Sequence, residues 1–259
     1  MKKILFLGDI VGSHGCRFVK SVIYDIKKKY GIDIVIANGE NSADGNGITP
    51  LSADMLSDFA DIITTGNHCF RRKEVYPLLE SSDHIIRPAN YPEDAPGKGY
   101  CIYDMGSSQL AVINLIGVIY TDQADNPFTA ADRILSELRG RLNAPNILVD
   151  LHAETTSEKK ALGQYLAGRV TAVIGTHTHV QTADETILPG GTAYITDAGM
   201  CGAELSVLGV RSDIVIKRMC SHIPEKFTES DNPAFLNGVV TEYDEKTGKA
   251  LSISRLVIR

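Results

Sequence analysis

The sequence predicts an α/β fold whose functional residues gather along one edge of a sheet, and two features of the chain lead to this prediction. Short apolar segments alternate with segments of helical periodicity, which is the pattern of strands joined by helices. Five apolar segments end in polar residues, in LFLGD, VIANGEN, DIITTGNH, NILVDLHAE and TAVIGTHTHV. Because the carboxyl ends of strands in such a fold open onto a shared crevice, these polar residues are expected to lie close together.

The first half of the chain opens with a buried strand at Lys3–Leu7 and an amphipathic helix from about Cys16 to Lys29. A second apolar strand is expected at Asp33–Ala37. The residues NGENSADGNG after it are rich in Asn, Gly and Asp, which indicates a loop. The next helix is expected to start near Pro50.

Antiparallel elements follow later in the chain and suggest a second sheet. GYCIYDMGSSQLAVINLIG indicates a hairpin, and NGVVTEYDEKTGKALSISRLVIR indicates another, turned at Lys246–Lys249. Thr228–Pro233 is expected to be a surface loop. Because the chain has no internal repeat and no long linker, a single domain over residues 1–259 is predicted.

Composition narrows the class of protein. No apolar run approaches the roughly 18 residues that a membrane span requires, and Asp9 interrupts the apolar N-terminal segment, which is therefore predicted to be a strand and not a signal peptide. Five scattered cysteines without a CxxC pair indicate reduced thiols and a cytoplasmic protein. A net charge of −6 gives no general attraction to duplex nucleic acid or to an anionic membrane surface.

The motif GTHTH is the first candidate site. His177 and His179 are two residues apart at the end of a predicted strand, so both imidazoles share one face if the strand geometry continues. By itself the motif fits a polar turn with two hydrogen-bonded histidines equally well.

The other strand ends shift this balance toward a metal centre. They contribute carboxylate, amide and imidazole groups from Asp9, Glu40, Asn41, Asn67, His68 and His152. Oxygen and nitrogen donors without a thiolate favour iron, manganese or zinc, and a carboxylate can bridge two ions about 3.5–4 Å apart. Two such ions clamp phosphate oxygens and convert a bridging water into hydroxide for in-line attack. His68, next to Asn67, is then the candidate general acid for the leaving oxygen.

Single residues also have simpler interpretations. Asp9 fits the N-terminus of a helix in a dinucleotide-binding turn, but GDIVGSHG lacks the GxGxxG spacing of that turn. Glu40 and Asn41 fit a solvated loop, and His152 beside Glu154 fits a charged pair at a strand end. Cys69 beside His68 suggests a nucleophile, although neighbours on an extended chain point to opposite faces, so a packing role is favoured. Only the joint placement of these residues at strand ends favours the metal centre.

Taken together, the motifs GD, GEN, GNH, DLHAE and GTHTH resemble the calcineurin-like metallophosphoesterase superfamily. ANGENSADGNGIT, RPANYP, HAETTSEK, GTHTHVQTADE and LPGGTAYITDAGM further resemble the YmdB branch of bacterial phosphodiesterases, over nearly the whole chain. The resemblance implies a four-layer α-β-β-α sandwich of two mixed sheets with a dinuclear metal site at the sheet edge. It also implies hydrolysis of 2′,3′-cyclic nucleotides or related small phosphodiesters, with two ions that are iron or, alternatively, manganese or zinc.

Carried over residue by residue, the resemblance implies that Glu40 bridges the two ions and that His68 donates the proton. One ion is held by Asp9, Glu40, Asn41 and His179. The other is held by Glu40, Asn67, His152 and His177. Self-association into a homo-oligomer is also expected, because proteins of this fold often form oligomers.

Two departures from the family pattern concern the substrate. Cys69, Phe70 and Arg71 stand after GNH where Thr-Trp-Asp is expected, and Val118 stands where an Arg is expected. A missing cation weakens the binding of an anionic substrate, and Arg71 or Arg72 is a candidate to compensate.

Two alternative functions are compatible with the same candidate residues. A phosphomonoesterase or nucleotidase uses the same two-metal site and differs in how the pocket treats the second ester group. A metal-dependent regulatory protein that binds a nucleotide with weak turnover is the alternative outside the enzyme class.

Overall fold

Strands and helices alternate along the chain, and the computed structural model describes all residues from 1 to 259. The strands are β1 (Lys2–Leu7), β2 (Asp9–Ile10), β3 (Ile34–Asn38), β4 (Ile62–Thr64), β5 (Tyr100–Asp104), β6 (Gln109–Ile116), β7 (Ile147–His152), β8 (Ala172–Thr176), β9 (Thr186–Leu188), β10 (Thr192–Ile195), β11 (Met200–Ala203), β12 (Ala234–Tyr243) and β13 (Ala250–Ile258). The α-helices are α1 (Gly12–Tyr30), α2 (Pro50–Ser57), α3 (Tyr76–Ser81), α4 (Pro127–Leu138), α5 (Thr156–Leu166) and α6 (Ser212–Ser221).

The strands form two mixed sheets. The first has the order β2-β11-β12-β1-β3-β4, with β13 also paired to β12, and the second has the order β5-β6-β7-β8-β10-β9. The strands β1, β3 and β4 are parallel to one another, as are β6, β7 and β8. Their carboxyl ends therefore supply two rows of polar residues, one from each sheet.

Three apolar layers hold the sandwich together. One lies between the sheets, where Ile4 and Phe6 of β1 share a cluster with Val112 of β6 and Leu148 of β7. A second cluster packs α1 and α2 on the first sheet, and a third packs α4 and α5 on the second sheet. This arrangement confirms the predicted four-layer α-β-β-α sandwich.

Element boundaries agree with the sequence except at one helix. The predicted strands at Lys3–Leu7 and Asp33–Ala37 and the C-terminal hairpin are present within one or two residues. Helix α1, however, begins at Gly12 and not near Cys16, because Gly12 N–H donates to the carbonyl of Asn41 and anchors the start of the helix in a Gly-rich segment of low helix propensity. None of the six α-helices has the length and apolar character needed to cross a bilayer.

Candidate metal centre

The eight candidate residues all lie at the same edge of the sandwich. Asp9 is in β2, and the loops after β3 and β4 carry Glu40, Asn41, Asn67 and His68. The second sheet supplies His152 at the end of β7 and His177 and His179 after β8. Gly66 allows the close approach of these loops, because a Cβ there would lie 2.3 Å from His152 Cδ2 and 2.4 Å from Glu40 Oε2. The structure thus brings the eight candidate residues together at one edge.

A first group of polar atoms surrounds the side-chain amide of Asn41. Its Nδ2 lies 3.1 Å from His179 Nε2, 3.2 Å from Glu40 Oε1 and 3.5 Å from Asp9 Oδ1. These four residues are the set that the family resemblance assigns to one ion. Because Asn41 Oδ1 faces His68 in this arrangement, coordination through that oxygen requires the amide to turn by 180°.

A second group surrounds His152 Nε2. This nitrogen lies 3.0 Å from His177 Nδ1 and 3.1 Å from both Glu40 Oε1 and Asn67 Oδ1. Separations near 3 Å are those expected between neighbouring ligand atoms on one ion at a bond length of about 2.1 Å. These four residues are the set that the resemblance assigns to the other ion.

The donor chemistry of both groups fits divalent metal. Glu40 Oε1 belongs to both groups, which is the position required of a bridging carboxylate. Two imidazole nitrogens only 3.0 Å apart, His152 Nε2 and His177 Nδ1, repel each other unless a proton or a cation lies between them. Three of the residues, Glu40, His152 and His177, each place one possible ligand atom within 4.8 Å of the other two.

The protein groups by themselves carry strongly perturbed pKa values. Burial raises the pKa of Asp9, despite the nearby imidazoles of His179 and His152. Burial also acts to raise the pKa of Glu40, but the charge and hydrogen bond of His152 outweigh it and lower this pKa to about 2. The same pair raises the pKa of His152 to about 9 against the effect of its own burial, while burial lowers the pKa of His177 to about 3. Such clustered perturbations are typical of functional sites.

The GTHTH motif reaches this cluster by a route that the sequence did not predict. Strand β8 ends at Thr176, and His177 and His179 have φ angles of +102° and +61°. The expectation that a continued strand aligns the two imidazoles is therefore wrong. Left-handed backbone at two non-glycine residues is unfavourable by about 1–3 kcal/mol each and persists only where surrounding contacts fix it.

Asp197 supplies those contacts, and it is not among the residues predicted from the sequence. Its carboxylate is fully buried after β10 and accepts hydrogen bonds from the Thr178 amide at 3.1 Å and the Thr178 hydroxyl at 2.7 Å. The same oxygen pairs with buried Lys159 at 2.7 Å, and the other oxygen accepts from Gly199 N–H at 2.8 Å. Asp197 therefore holds the residue between the two histidines. The signal was present, since YITD ends a strand in an acidic residue as the other motifs do.

We expect Asp197→Asn to weaken metal binding by about 10- to 100-fold, because residues that orient metal ligands have effects of that size. Isothermal titration with Mn²⁺ measures this, with thermal unfolding recorded in parallel. Lys159→Met is the matched comparison: it removes the ion pair but leaves the bonds to Thr178, so it should lower stability with a smaller effect on Mn²⁺ affinity. Equal Mn²⁺ affinity in Asp197→Asn and wild type would rule out the anchoring role.

A second buried network orients His152. Asp150, in the middle of β7, accepts hydrogen bonds from Thr64 at 2.5 Å, Thr176 at 2.7 Å and Asn38 at 3.1 Å. The Thr176 hydroxyl also lies 2.9 Å from His152 Nδ1, which directs Nε2 of His152 into the cluster. Burial raises the pKa of Asp150 to about 6. The sequence signal of this network is an Asp inside the apolar strand ILVDLH, and Asp150 is not among the residues predicted from the sequence.

His68 and Cys69 have different surroundings in the structure: His68 contacts the polar cluster, and Cys69 is buried. His68 Nδ1 lies 2.8 Å from Asn41 Oδ1 and 3.3 Å from Glu40 Oε1, while its Nε2 has no hydrogen-bond partner in the protein. Burial lowers the pKa of His68, and the Glu40 carboxylate opposes this effect. Cys69 is fully buried, and burial raises the pKa of its thiol to about 12, so it has the packing role that the sequence favoured.

A cleft of about 860 Å³ opens over the cluster and includes Glu40, Asn41, His68, His177 and His179 in its lining. Of the two arginines considered as substitutes for the missing family cation, only Arg72 lines this cleft. It lies 3.8 Å from Asp44 and donates from Nε to the Asn46 carbonyl at 3.1 Å. Val118 lies outside the cleft lining, and its amide donates to Glu158 at 2.7 Å.

Known proteins share this fold and sequence over the full length of the chain. The family model described as "YmdB-like protein" matches residues 5–256. The chain is 45% identical, over 99% of its length and 97% of the relative, to the 2′,3′-cyclic-nucleotide 2′-phosphodiesterase of Bacillus subtilis. Among solved structures, a hypothetical protein from Thermus thermophilus superimposes with a TM-score of 0.91 at 40% identity, covering 99% of this chain and 98% of that one. A phosphatase from Mycoplasma pneumoniae also gives 0.91, at 34% identity over 99% and 93% of the two chains.

The family match covers all five strand-end motifs from which the site was built. Together with the full-length relatives, it confirms the resemblance found in the sequence, and the chain belongs to the YmdB-like protein family.

Proposed function

We propose that this chain is a dinuclear-metal phosphodiesterase that hydrolyses 2′,3′-cyclic nucleotides or related small phosphodiesters. The observation that carries the proposal is the pair of ligand groups that share Glu40 Oε1, one around Asn41 and one around His152. The activity of the Bacillus subtilis relative supports the choice of substrate.

Two ions would be held by Asp9, Glu40, Asn41 and His179 and by Glu40, Asn67, His152 and His177. When bound, they supply a Lewis acid for the phosphate oxygens and lower the pKa of water. The mixed oxygen and nitrogen donors suit iron, with manganese or zinc as alternatives. Asp197 and the Asp150 network keep the histidines in place, so that little reorganisation is required of the protein during the reaction.

His68 would complete the reaction as the proton donor. Water adds to phosphorus and releases one proton to the solvent, one P–O ester bond breaks, and the departing ribose oxygen takes a proton from His68 Nε2. The contacts of Nδ1 with Asn41 and Glu40 fix the ring, and Nε2 is the nitrogen left free of protein partners.

The test combines metal content with activity. Protein purified without added metal is subjected to elemental analysis, and hydrolysis of 2′,3′-cyclic AMP is compared with that of adenosine 5′-monophosphate. About two ions per chain and a preference for the cyclic diester would support the proposal. A preference for the monoester would favour a nucleotidase, and metal-free protein that stays inactive after reconstitution would favour a regulatory binding protein.

Arg72 is expected to bind the anionic substrate. Arg72→Ala should raise the KM for 2′,3′-cyclic AMP by about 3- to 10-fold with little change in kcat, and the effect should shrink at high salt, because the side chain is partly exposed. Arg71→Ala is the matched control, since Arg71 is adjacent but does not line the cleft. Equal KM values for the two variants would contradict this role.

A further inference from the structure

One wall of the cleft is apolar, although most of its lining is polar. Val11, Leu208, Val210 and Phe227 are the hydrophobic residues among the nineteen that line it. Short contacts link the segments that carry them: a Cβ at Gly209 would lie 2.4 Å from Val11 Cγ1, and Val210 pairs with Glu229 through a β-bridge. Leu208 lies in a turn at residues 207–210, called the Leu208 turn below. Arg211 N–H, directly after this turn, donates to the Thr228 carbonyl at 3.0 Å and so joins the turn to the chain next to Phe227.

Phe227 is the only Phe, Tyr or Trp in the cleft lining, and the residue is 46% exposed. It packs into none of the three apolar clusters of the fold. The guanidinium carbon of Arg218 lies 4.8 Å from the ring centroid, and the ring also borders a smaller cavity with Arg218 and Met219 of α6. Phe227 therefore lines both the cleft and the smaller cavity, whereas Arg218 lines only the smaller cavity.

Leu208 is exposed in the same wall at a cost in backbone energy. It is 47% exposed and has a φ angle of +54°, a conformation that Gly or Asn adopts more readily than a bulky residue. Reciprocal backbone hydrogen bonds between Val207 and Val210, at 2.9 and 3.0 Å, hold the turn in place. Strain of this kind that places an exposed apolar side chain in a binding cleft points to a ligand contact.

We infer that Leu208 and Phe227 form a nucleobase subsite beside the metal cluster. A nucleoside cyclic phosphate has a polar end, which belongs at the metal ligands, and a flat π-faced base, which stacks on an aromatic ring whatever its hydrogen-bonding pattern. The subsite makes nucleoside cyclic phosphates, and not small phosphodiesters in general, the preferred substrates. This inference rests on the proposed phosphodiesterase function.

The test uses two substrates that share the reacting group and differ in the base. 2′,3′-Cyclic AMP and glycerol 1,2-cyclic phosphate both carry a five-membered cyclic diester, and only the first has a base. Phe227→Ala should lower kcat/KM for 2′,3′-cyclic AMP roughly 5- to 100-fold, mainly through KM, and leave glycerol 1,2-cyclic phosphate unchanged. Phe227→Tyr should retain most of the activity. Leu208→Asn, which keeps a residue suited to positive φ, should show a smaller loss in the same direction.

Met219→Ala is the matched control, because Met219 is an exposed apolar residue of the neighbouring cavity that does not line the cleft. Activity of each variant toward glycerol 1,2-cyclic phosphate reports whether it is folded and metal-loaded. If wild type hydrolyses both substrates and Phe227→Ala changes both equally or neither, the subsite is overturned while the proposed function stands. If the metal-loaded wild type hydrolyses neither substrate, the proposed function fails and the subsite with it.

Discussion

Glu40→Gln is expected to lose both metal and activity. Its Oε1 lies in both groups of polar atoms, so an uncharged amide at this position removes the negative charge that the two proposed ion sites would share. Because the ions stabilise the transition state by several kcal/mol, hydrolysis of 2′,3′-cyclic AMP should fall about a thousandfold or more. Elemental analysis should show clearly fewer than two ions per chain.

Glu80→Gln provides the matched control for this change. Glu80 is an exposed carboxylate on α3 without an ion pair, so the variant has the same change in charge and shape far from the ligand groups. It should keep the metal content and activity of wild type. Full metal content in Glu40→Gln would show that Glu40 is not the shared ligand.

His68→Ala is expected to lose activity while it keeps its metal. General acid catalysis contributes about 10²- to 10⁴-fold, so kcat for 2′,3′-cyclic AMP, whose leaving group is a poor ribose alkoxide, should fall by that range. With bis(p-nitrophenyl) phosphate the loss should be small, because p-nitrophenolate departs without a proton. Elemental analysis should give the same ion content as wild type.

The control for His68→Ala is His84→Ala, which removes an exposed imidazole outside the cleft. It should behave as wild type with both substrates. An equal loss of activity toward both substrates in His68→Ala would contradict a role in protonating the leaving group and would indicate a role in binding.

The fold could be predicted in large part because its signals are local. Apolar segments of strand length, such as the one before Asp9, and the turn at Lys246–Lys249 are visible in short windows of sequence. The start of α1 at Gly12 was not visible, because it depends on a hydrogen bond to Asn41 in a distant loop. The four-layer arrangement came from family resemblance, since local patterns do not specify which sheets pack together.

In the candidate site, too, residues marked by local sequence patterns could be predicted, and residues that act through contacts between distant segments could not. Strand-end polar residues, including Glu40 and His152, were found because parallel strands deliver their carboxyl ends to one edge. Their roles as ligands stay a prediction. Asp197 was missed because its function is to hold Thr178, a contact between two loops. Phe227 was passed over beside a segment expected to be a surface loop, and only the three-dimensional pairing with the Leu208 turn places it in the cleft.

The position of β12 has a consequence for synthesis of the protein. This strand lies between β11 and β1, and its pairing joins Lys2 to Tyr243 across almost the whole sequence. While the ribosome is still making the chain, β1 has no neighbour on that side, and β11, which pairs with the Asp9 strand, has no connection to β1 through the sheet. Contacts of such long sequence separation form slowly. A nascent chain that stops before residue 234 therefore exposes an open sheet edge at β1, which makes it a target for aggregation or proteolysis.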